Sequence, residues 1–144
     1  RGGYNTEDLV HNVCDWFRGE GLNELYILGD FNINGLSQQT LNKWLVNYKE
    51  LKGILQTVPL GGVGKKEQYT HYGDKGKNRL DYGVYIYDES SIEDTEFQFK
   101  TVYYDKEQPA FPQNQPIPNP LSLGNHNFYF KSDHRPLLFS YEDM

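Results

Sequence analysis

Three short polar segments of the sequence carry side chains that can perform acid–base and metal chemistry. They are Gly-Asp-Phe-Asn at 29–32, Arg-Leu-Asp-Tyr at 79–82 and Ser-Asp-His-Arg-Pro at 132–136. Paired carboxylates bind hard divalent cations through oxygen, and a histidine held by an aspartate can pass a proton or bond a phosphate oxygen. An asparagine amide can donate to a phosphoryl oxygen on which charge develops. Together the segments supply carboxylates, an amide and an imidazole.

Each segment also has an ordinary structural explanation when it is considered alone. Asp30 and Asn32 can close the turn after a strand, because both side chains bond nearby backbone amides. Asp81 can form a local ion pair with Arg79, and an Asp-His dipeptide before Arg-Pro is typical of a solvated turn. A catalytic or metal-binding role is favoured because polar segments of this kind occur at three strand–loop junctions. A rigid scaffold can bring side chains at such junctions together.

Hydrophobic periodicity predicts the elements that would position these segments. A helix is capped at Asn5 or Thr6 and ends at the glycines of 19–21, a buried strand covers 25–28, and a second helix begins at Ser37. Further strands are predicted at 68–72, 79–87, 96–104, 128–130 and 137–141. Between 106 and 127, which holds five of the seven prolines, an extended surface loop is predicted. This order of elements fits an α+β fold with a mostly antiparallel sheet.

Composition limits the class of protein. The chain has 144 residues, which suits one domain, and its formal net charge is −6. The acidic balance argues against a protein that binds nucleic acid by bulk charge, but it leaves open a contact compensated by metal cations. The single Cys14 excludes an internal disulfide framework and a cysteine-based zinc site. No apolar run approaches the ~18 residues of a membrane span.

The three polar segments, in this order, resemble the C-terminal motifs of the endonuclease/exonuclease/phosphatase superfamily, the deoxyribonuclease-like proteins. The matching residues are Leu-Gly-Asp-Phe-Asn at 28–32, Arg-Leu-Asp-Tyr at 79–82 and Ser-Asp-His-Arg-Pro-Leu at 132–137. Thr70, in an aromatic strand ahead of the second motif, fits the same pattern. The resemblance covers about 5–141. The family includes pancreatic-type deoxyribonuclease, abasic-site endonucleases, deadenylases, sphingomyelinases and inositol polyphosphate phosphatases.

The resemblance implies metal-dependent hydrolysis of a phosphodiester by in-line attack of water, with Mg²⁺ or Mn²⁺ as the metal. Asp30 would orient or deprotonate the water, and Asn32 would contact the phosphate. Asp81 would fix the tautomer of His134, which would stabilise the transition state or assist proton transfer. Asp133, together with Asp30, would hold the metal.

A nucleic acid is the expected substrate, because Arg-Leu-Asp-Tyr resembles the nuclease branch of the family more than the inositol phosphatases. The predicted substrate-binding residues are Asn32, Arg79 and Thr70. Basic residues that could meet a nucleic acid backbone, or form an ordinary solvated loop, flank the second motif, namely Lys65, Lys66, Lys75, Lys77 and Arg79. Tyr69 and His71 could stack on a base or pack against the sheet. A sphingomyelinase-like or inositol phosphatase-like phosphoesterase, and a non-catalytic interaction fragment, are the alternatives.

The family fold is a four-layer α/β/β/α sandwich whose N-terminal half carries a strand with an asparagine and a metal-binding glutamate. Here the first helix begins near Asn5, the chain opens on Arg1 and its only methionine is Met144, so we expect 1–144 to be the C-terminal part of one such domain. A lone sheet would expose its inner apolar face, and several hundred Å² exposed at ~25 cal/mol per Å² costs about 10 kcal/mol. We therefore expect the chain to need the absent half, a partner chain or self-association.

Overall fold

The fold is taken from a computed structural model of the chain. It describes residues 5–58, 63, 68–73, 76–90, 98–103, 121–123, 126–128, 133–134 and 137–142. Neither helix in this part of the chain has the length and hydropathy to cross a bilayer.

Helix α1 spans Thr6–Gly19 and is capped as the sequence predicts. The side chain of Asn5 accepts the amide hydrogen of Asp8 at 2.8 Å, which satisfies one of the donors that a helix start leaves without a partner. The helix buries three apolar side chains at helical spacing, Val10, Cys14 and Phe17. This apolar stripe lets α1 pack on the sheet.

The remaining elements form an α+β fold in which every described strand pair is antiparallel. They are β1 (Glu24–Asp30), α2 (Gln38–Trp44), β2 (Leu51–Gln56), β3 (His71–Gly73), β4 (Gly76–Asn78), β5 (Asp81–Asp88), β6 (Gln98–Tyr103), β7 (Leu121–Leu123), β8 (His126–Phe128) and β9 (Leu137–Glu142). The central sheet has the order β1-β5-β2, and the other strands form the pairs β3-β4, β6-β9 and β7-β8. The expected α+β class with a mostly antiparallel sheet is confirmed.

Three local predictions differ from the structure. Strand β2 was not predicted, because Leu-Lys-Gly-Ile-Leu-Gln lacks the alternation of a half-buried strand. Strands β7 and β8 pair within the stretch predicted as a loop at 106–127, of which 106–120 and 124–125 lie outside the described residues. Strand β1 is half buried rather than fully buried, because it is the edge strand of the central sheet, and Leu28 is 55% exposed.

One face of the central sheet carries the hydrophobic core, and we call it the helix-covered face. Strand β5 contributes Tyr82, Val84 and Ile86 to this face, all with no solvent exposure. The helices contribute the buried side chains Val10, Cys14, Phe17, Leu41 and Trp44. The helices approach closely: a Cβ added to Gly53 of β2 would lie 2.7 Å from Cδ1 of Leu45. Glycine is therefore required where β2 meets the chain after α2.

The opposite face of the sheet, which we call the aspartate face, has a different composition. Asp30 is opposite Asp81 in the β1–β5 register, and Tyr26 is opposite Tyr85. Directly opposed residues of neighbouring strands point to the same face, and side chains alternate along each strand. The rings of Tyr26 and Tyr85 stack with centroids 4.8 Å apart. The two aspartates therefore lie at one end of a partly aromatic surface, on the side away from the helices.

Candidate functional site

The first polar segment begins where β1 ends. The backbone amide of Asn32 donates to Oδ1 of Asp30 at 2.8 Å, which fixes the orientation of that carboxylate. Asn32 has a φ of 55°, in the left-handed region that asparagine tolerates better than most residues. This conformation keeps the exposed Asn32 next to Asp30.

Backbone hydrogen bonds fasten the loop after β1 to the second polar segment. The Phe31 amide donates to the Leu80 carbonyl, the Gly35 amide to the Arg79 carbonyl, and the Arg79 amide to Oδ1 of Asn34, at 2.8, 3.1 and 2.9 Å. The two segments, which are separated by about fifty residues in sequence, therefore form one rigid unit. Such a unit can hold side chains at the precision that catalysis requires.

Asp81 and His134 form a direct pair. Nδ1 of His134 lies 2.8 Å from Oδ2 of Asp81, so an ionised Asp81 accepts the Nδ1 proton and selects one tautomer of the ring. The fully buried Thr70 supports Asp81 from behind, since its Oγ1 accepts the amide hydrogens of Leu80 and Asp81 at 2.9 and 3.1 Å. The pair predicted from the sequence is thus in contact in the structure.

Two further carboxylates surround the other ring nitrogen of His134. Nε2 lies 3.7 Å from Oδ2 of Asp30 and 3.8 Å from Oδ1 of Asp133. Burial of His134 by itself lowers its pKa, but the hydrogen bond to Asp81 and the charges of the three nearby aspartates outweigh burial, so the pKa of His134 is raised above its ordinary value. The three polar segments therefore converge on one imidazole.

A second histidine–aspartate pair adjoins the first: its aspartate, Asp133, is a predicted metal ligand, whereas its histidine, His71, was not among the predicted catalytic or metal-binding residues. Nε2 of His71 lies 3.1 Å from Oδ2 of Asp133, and Nδ1 of His71 lies 3.2 Å from Nδ2 of Asn78. The rings of His71 and His134 have centroids 4.8 Å apart. A sequence signal could have indicated the Asn78 contact of His71 but not its contact with Asp133: the turn residues Gly-Asp-Lys-Gly at 73–76 predict a hairpin, and the β3–β4 pairing sets Asn78 opposite His71.

Two of the predicted substrate-binding residues are buried. Thr70 has no exposed surface, and Arg79 is 9% exposed. Among the described residues, Nε and Nη1 of Arg79 have no hydrogen-bond partner, and Nη2 lies close to the loop glycine Gly35. Because a buried hydroxyl cannot touch a bound substrate, Thr70 acts on the site through Asp81. The backbone of Arg79 is hydrogen-bonded to the loop after β1, and Asn32 is the predicted substrate-binding residue that lies on the surface.

The basic residues around the second motif can be described only in part. Nζ of Lys77 lies 5.7 Å from the ring centroid of Tyr72, a cation–π distance on the hairpin that holds His71. Lys65, Lys66 and Lys75 lie outside the described residues.

Several side chains of the site offer donor atoms of the kinds that bind metal ions. Ligand atoms of His71, Asp133 and His134 all lie within 4.8 Å of one another, and Asp30 adds a second carboxylate near His134. Carboxylate oxygens are the ligands that Mg²⁺ prefers, and Mn²⁺ accepts both carboxylate and imidazole. A groove of about 680 Å³ between α1 and β1 adjoins the site and is lined in part by Asp30 and Asn32.

Comparisons of the chain with models of protein families, with curated proteins and with solved structures found no match.

Proposed function

We propose that this chain carries the catalytic C-terminal part of a metal-dependent phosphodiester hydrolase, and that its substrate is a nucleic acid. The observation that carries the proposal is the convergence of the first and second polar segments on His134 of the third. Asp81 binds Nδ1 at 2.8 Å, and Asp30 and Asp133 lie 3.7 and 3.8 Å from Nε2. A surface histidine in a solvated turn needs none of these neighbours.

The side chains divide the work of an in-line displacement. Asp30, fixed by the Asn32 amide, orients the attacking water and can take its proton. Asn32 is exposed beside Asp30, and its side-chain amide donates to a phosphoryl oxygen. His134, with Nδ1 held by Asp81, directs Nε2 toward the charge that develops on the phosphate. The raised pKa of His134 favours the protonated ring. A protonated ring can donate a hydrogen bond to the phosphate and neutralise part of its negative charge.

Asp30 and Asp133 are the residues that would hold a divalent cation. When Mg²⁺ or Mn²⁺ is bound, it neutralises phosphate charge and lowers the pKa of a bound water. Hard oxygen ligands suit both ions, which supports this choice of cofactor.

We also propose that the central sheet is one of the two sheets of a deoxyribonuclease-like sandwich. In support, the main apolar core lies on the helix-covered face, whereas the aspartate face carries Leu28, which is 55% exposed, and the partly exposed Tyr26. A second sheet, from another segment or a partner chain, would cover this face. Gel filtration with light scattering tests the point: a lone chain that stays monomeric without exposing apolar surface to a dye contradicts it.

The direct test of the function uses the full-length gene product. It is assayed with Mg²⁺ on plasmid, single-stranded DNA and RNA, and lipid phosphodiesters, each with and without EDTA. We expect cleavage of a nucleic acid that EDTA abolishes and added Mg²⁺ restores. Preferred cleavage of the lipid diester would contradict the substrate, and undiminished activity after chelation and gel filtration would contradict the metal requirement.

Two aspartates at opposite ends of β5 provide a matched control for this assay. Asp81→Asn removes the charge beside His134, whereas Asp88→Asn makes the same change at the other end of the strand, where the side chain accepts hydrogen bonds from the amide and hydroxyl of Ser90. We expect the first substitution to abolish most of the cleavage and the second to leave it unchanged. Equal losses would show that the effect is general to the strand and not specific to the histidine pair.

A further inference from the structure

Both ring nitrogens of His71 lie within hydrogen-bond distance of a polar side-chain atom. Nδ2 of Asn78 is a donor and lies 3.2 Å from Nδ1 of His71, so Nδ1 accepts a hydrogen bond. A neutral imidazole then carries its proton on Nε2, which lies 3.1 Å from Oδ2 of Asp133. The ring therefore transmits a hydrogen bond from an amide to a carboxylate.

The fold holds the His71 ring in place from several sides. His71 forms an isolated β-bridge with His134, and the amide of Tyr72 donates to the carbonyl of Asp133 at 2.8 Å. A Cβ added to Gly73 would lie 2.8 Å from Cε1 of His71, so glycine leaves the space for the ring. Only 19% of the His71 side chain is exposed. A side chain fixed in this way is suited to orient its neighbour.

His71 orients Asp133, which is one of the two carboxylates that the proposed function assigns as metal ligands. With Oδ2 of Asp133 held by His71, Oδ1 is directed toward Nε2 of His134, at 3.8 Å. A carboxylate with one oxygen fixed offers the other in a single orientation, which lowers the entropy lost when a cation binds. Partners of this kind behind metal ligands are worth about 10- to 100-fold in metal affinity.

We propose that His71 is a positioning residue that orients Asp133 for divalent metal binding, with Asn78 selecting the tautomer that does so. The inference rests on the proposed function for the assignment of Asp133. It gives a different role to His71 from base stacking or sheet packing, because its two ring nitrogens are both engaged by named partners.

The test compares two substitutions by Mn²⁺ affinity, measured without substrate in the full-length gene product by electron paramagnetic resonance. His71→Phe keeps a ring in the same space and removes both nitrogens, and we expect it to weaken Mn²⁺ binding by about 10- to 100-fold. His71→Gln keeps an N–H near the position of Nε2, and we expect it to recover most of the loss. At saturating Mn²⁺, kcat should stay within a few-fold of the unsubstituted protein for both variants.

Each outcome bears on a different claim. Equal Mn²⁺ affinities for His71→Phe and the unsubstituted protein overturn the positioning role while the proposed function stands. A glutamine variant as weak as the phenylalanine variant overturns it too. Absence of any Mn²⁺ binding overturns both proposals. Nitrogen-15 NMR of the metal-free protein gives a readout independent of the variants: a proton on Nε2 of His71 supports the inference, and a proton on Nδ1 alone contradicts it.

Discussion

The two faces of the central sheet carry different kinds of side chain, although both are formed by the same strands. On the helix-covered face, β5 presents Val84 and Ile86 to the helices without any solvent exposure. On the aspartate face, the same strand presents Asp81 and Tyr85, and its neighbour β1 presents Asp30. The alternation of side chains along β5 thus separates an apolar core from a polar site within one strand.

This separation lets the site collect like charges at small cost to the fold. Three aspartates lie near one imidazole, and the pairing of β1 with β5 and the bond of His134 to Asp81 help to keep them there. The energy that holds the sheet comes from apolar burial on the other face. Substitutions on the aspartate face should therefore alter chemistry, and those on the helix-covered face should alter stability.

The largest effect is expected on the aspartate face, from His134→Ala. In the full-length gene product kcat should fall by roughly 10²–10⁴, the usual range for a positioned acid–base group. The thermal midpoint should change little, because His134 lies outside the apolar core. Steady-state kinetics with Mg²⁺ and thermal unfolding measure the two quantities. An unchanged kcat would identify His134 as an ordinary turn residue.

A matched pair of leucine substitutions tests the two faces by stability. Leu41→Ala removes a fully buried side chain of α2 and should lower the free energy of unfolding by about 2–5 kcal/mol. Leu28→Ala, at a position 55% exposed, should cost the isolated chain less than about 1 kcal/mol. Urea denaturation gives both values. Similar losses at the two positions would remove the distinction between the faces.

Alkaline pH should lower the free energy of unfolding, because the Cys14 thiol is buried on the helix-covered face. Burial, and to a lesser extent the charge of Asp15, raises the pKa of the Cys14 thiol from 9.0 to about 11. The folded state keeps a proton that the unfolded chain loses above pH 9, so this contribution is complete below pH 9 and falls as the pH rises to about 11. The loss approaches about 2 to 3 kcal/mol.

Comparison with Cys14→Val isolates this contribution. Tyr48, whose pKa is raised to about 12, adds its own loss above pH 10, so the window between pH 9 and 10 separates the two groups. Urea midpoints measured in this window should fall more steeply for the unsubstituted chain than for the variant. Parallel slopes would show that the thiol is not protected by the fold.

A smaller effect than the loss from Leu41→Ala tests how tightly the helices pack on the sheet. Gly53→Ala places a methyl group 2.7 Å from Cδ1 of Leu45 and 3.0 Å from Cδ2 of Leu41, and should cost about 1–3 kcal/mol. Gly19→Ala is the control, since a Cβ there meets nothing within 4 Å and alanine favours the helix. A Gly53→Ala variant as stable as the control would indicate looser packing than the structure describes.

Local signals in the sequence predict much of this fold. The Asn5 cap with a helical apolar stripe predicted α1, and the alternation after Arg79 predicted β5. Strand β2 escaped prediction because its face is decided by contacts with α2, which is a tertiary effect. The half-burial of β1 also escaped, since an edge position depends on strand order and not on local composition.

The sequence likewise predicts some features of the candidate site and not others. Motif order indicated Asp30, Asp81 and His134 as neighbours, and the structure brings them together. The burial of Thr70 and Arg79 could not be predicted from residue type, because both types are usually exposed and the burial arises only from tertiary packing. His71 gains its partners Asn78 and Asp133 from a hairpin and a long-range bridge.

A double-mutant cycle on kcat is the most direct test of the central claim that Asp81 and His134 act as one unit. Asp81→Asn, His134→Ala and the double variant of the full-length gene product are compared under saturating Mg²⁺ and substrate, with circular dichroism as the control for folding. The account predicts that each single substitution lowers kcat by a similar factor and that the double variant is little worse than either. Losses that multiply in the double variant would show that the two residues act separately, and would contradict the account.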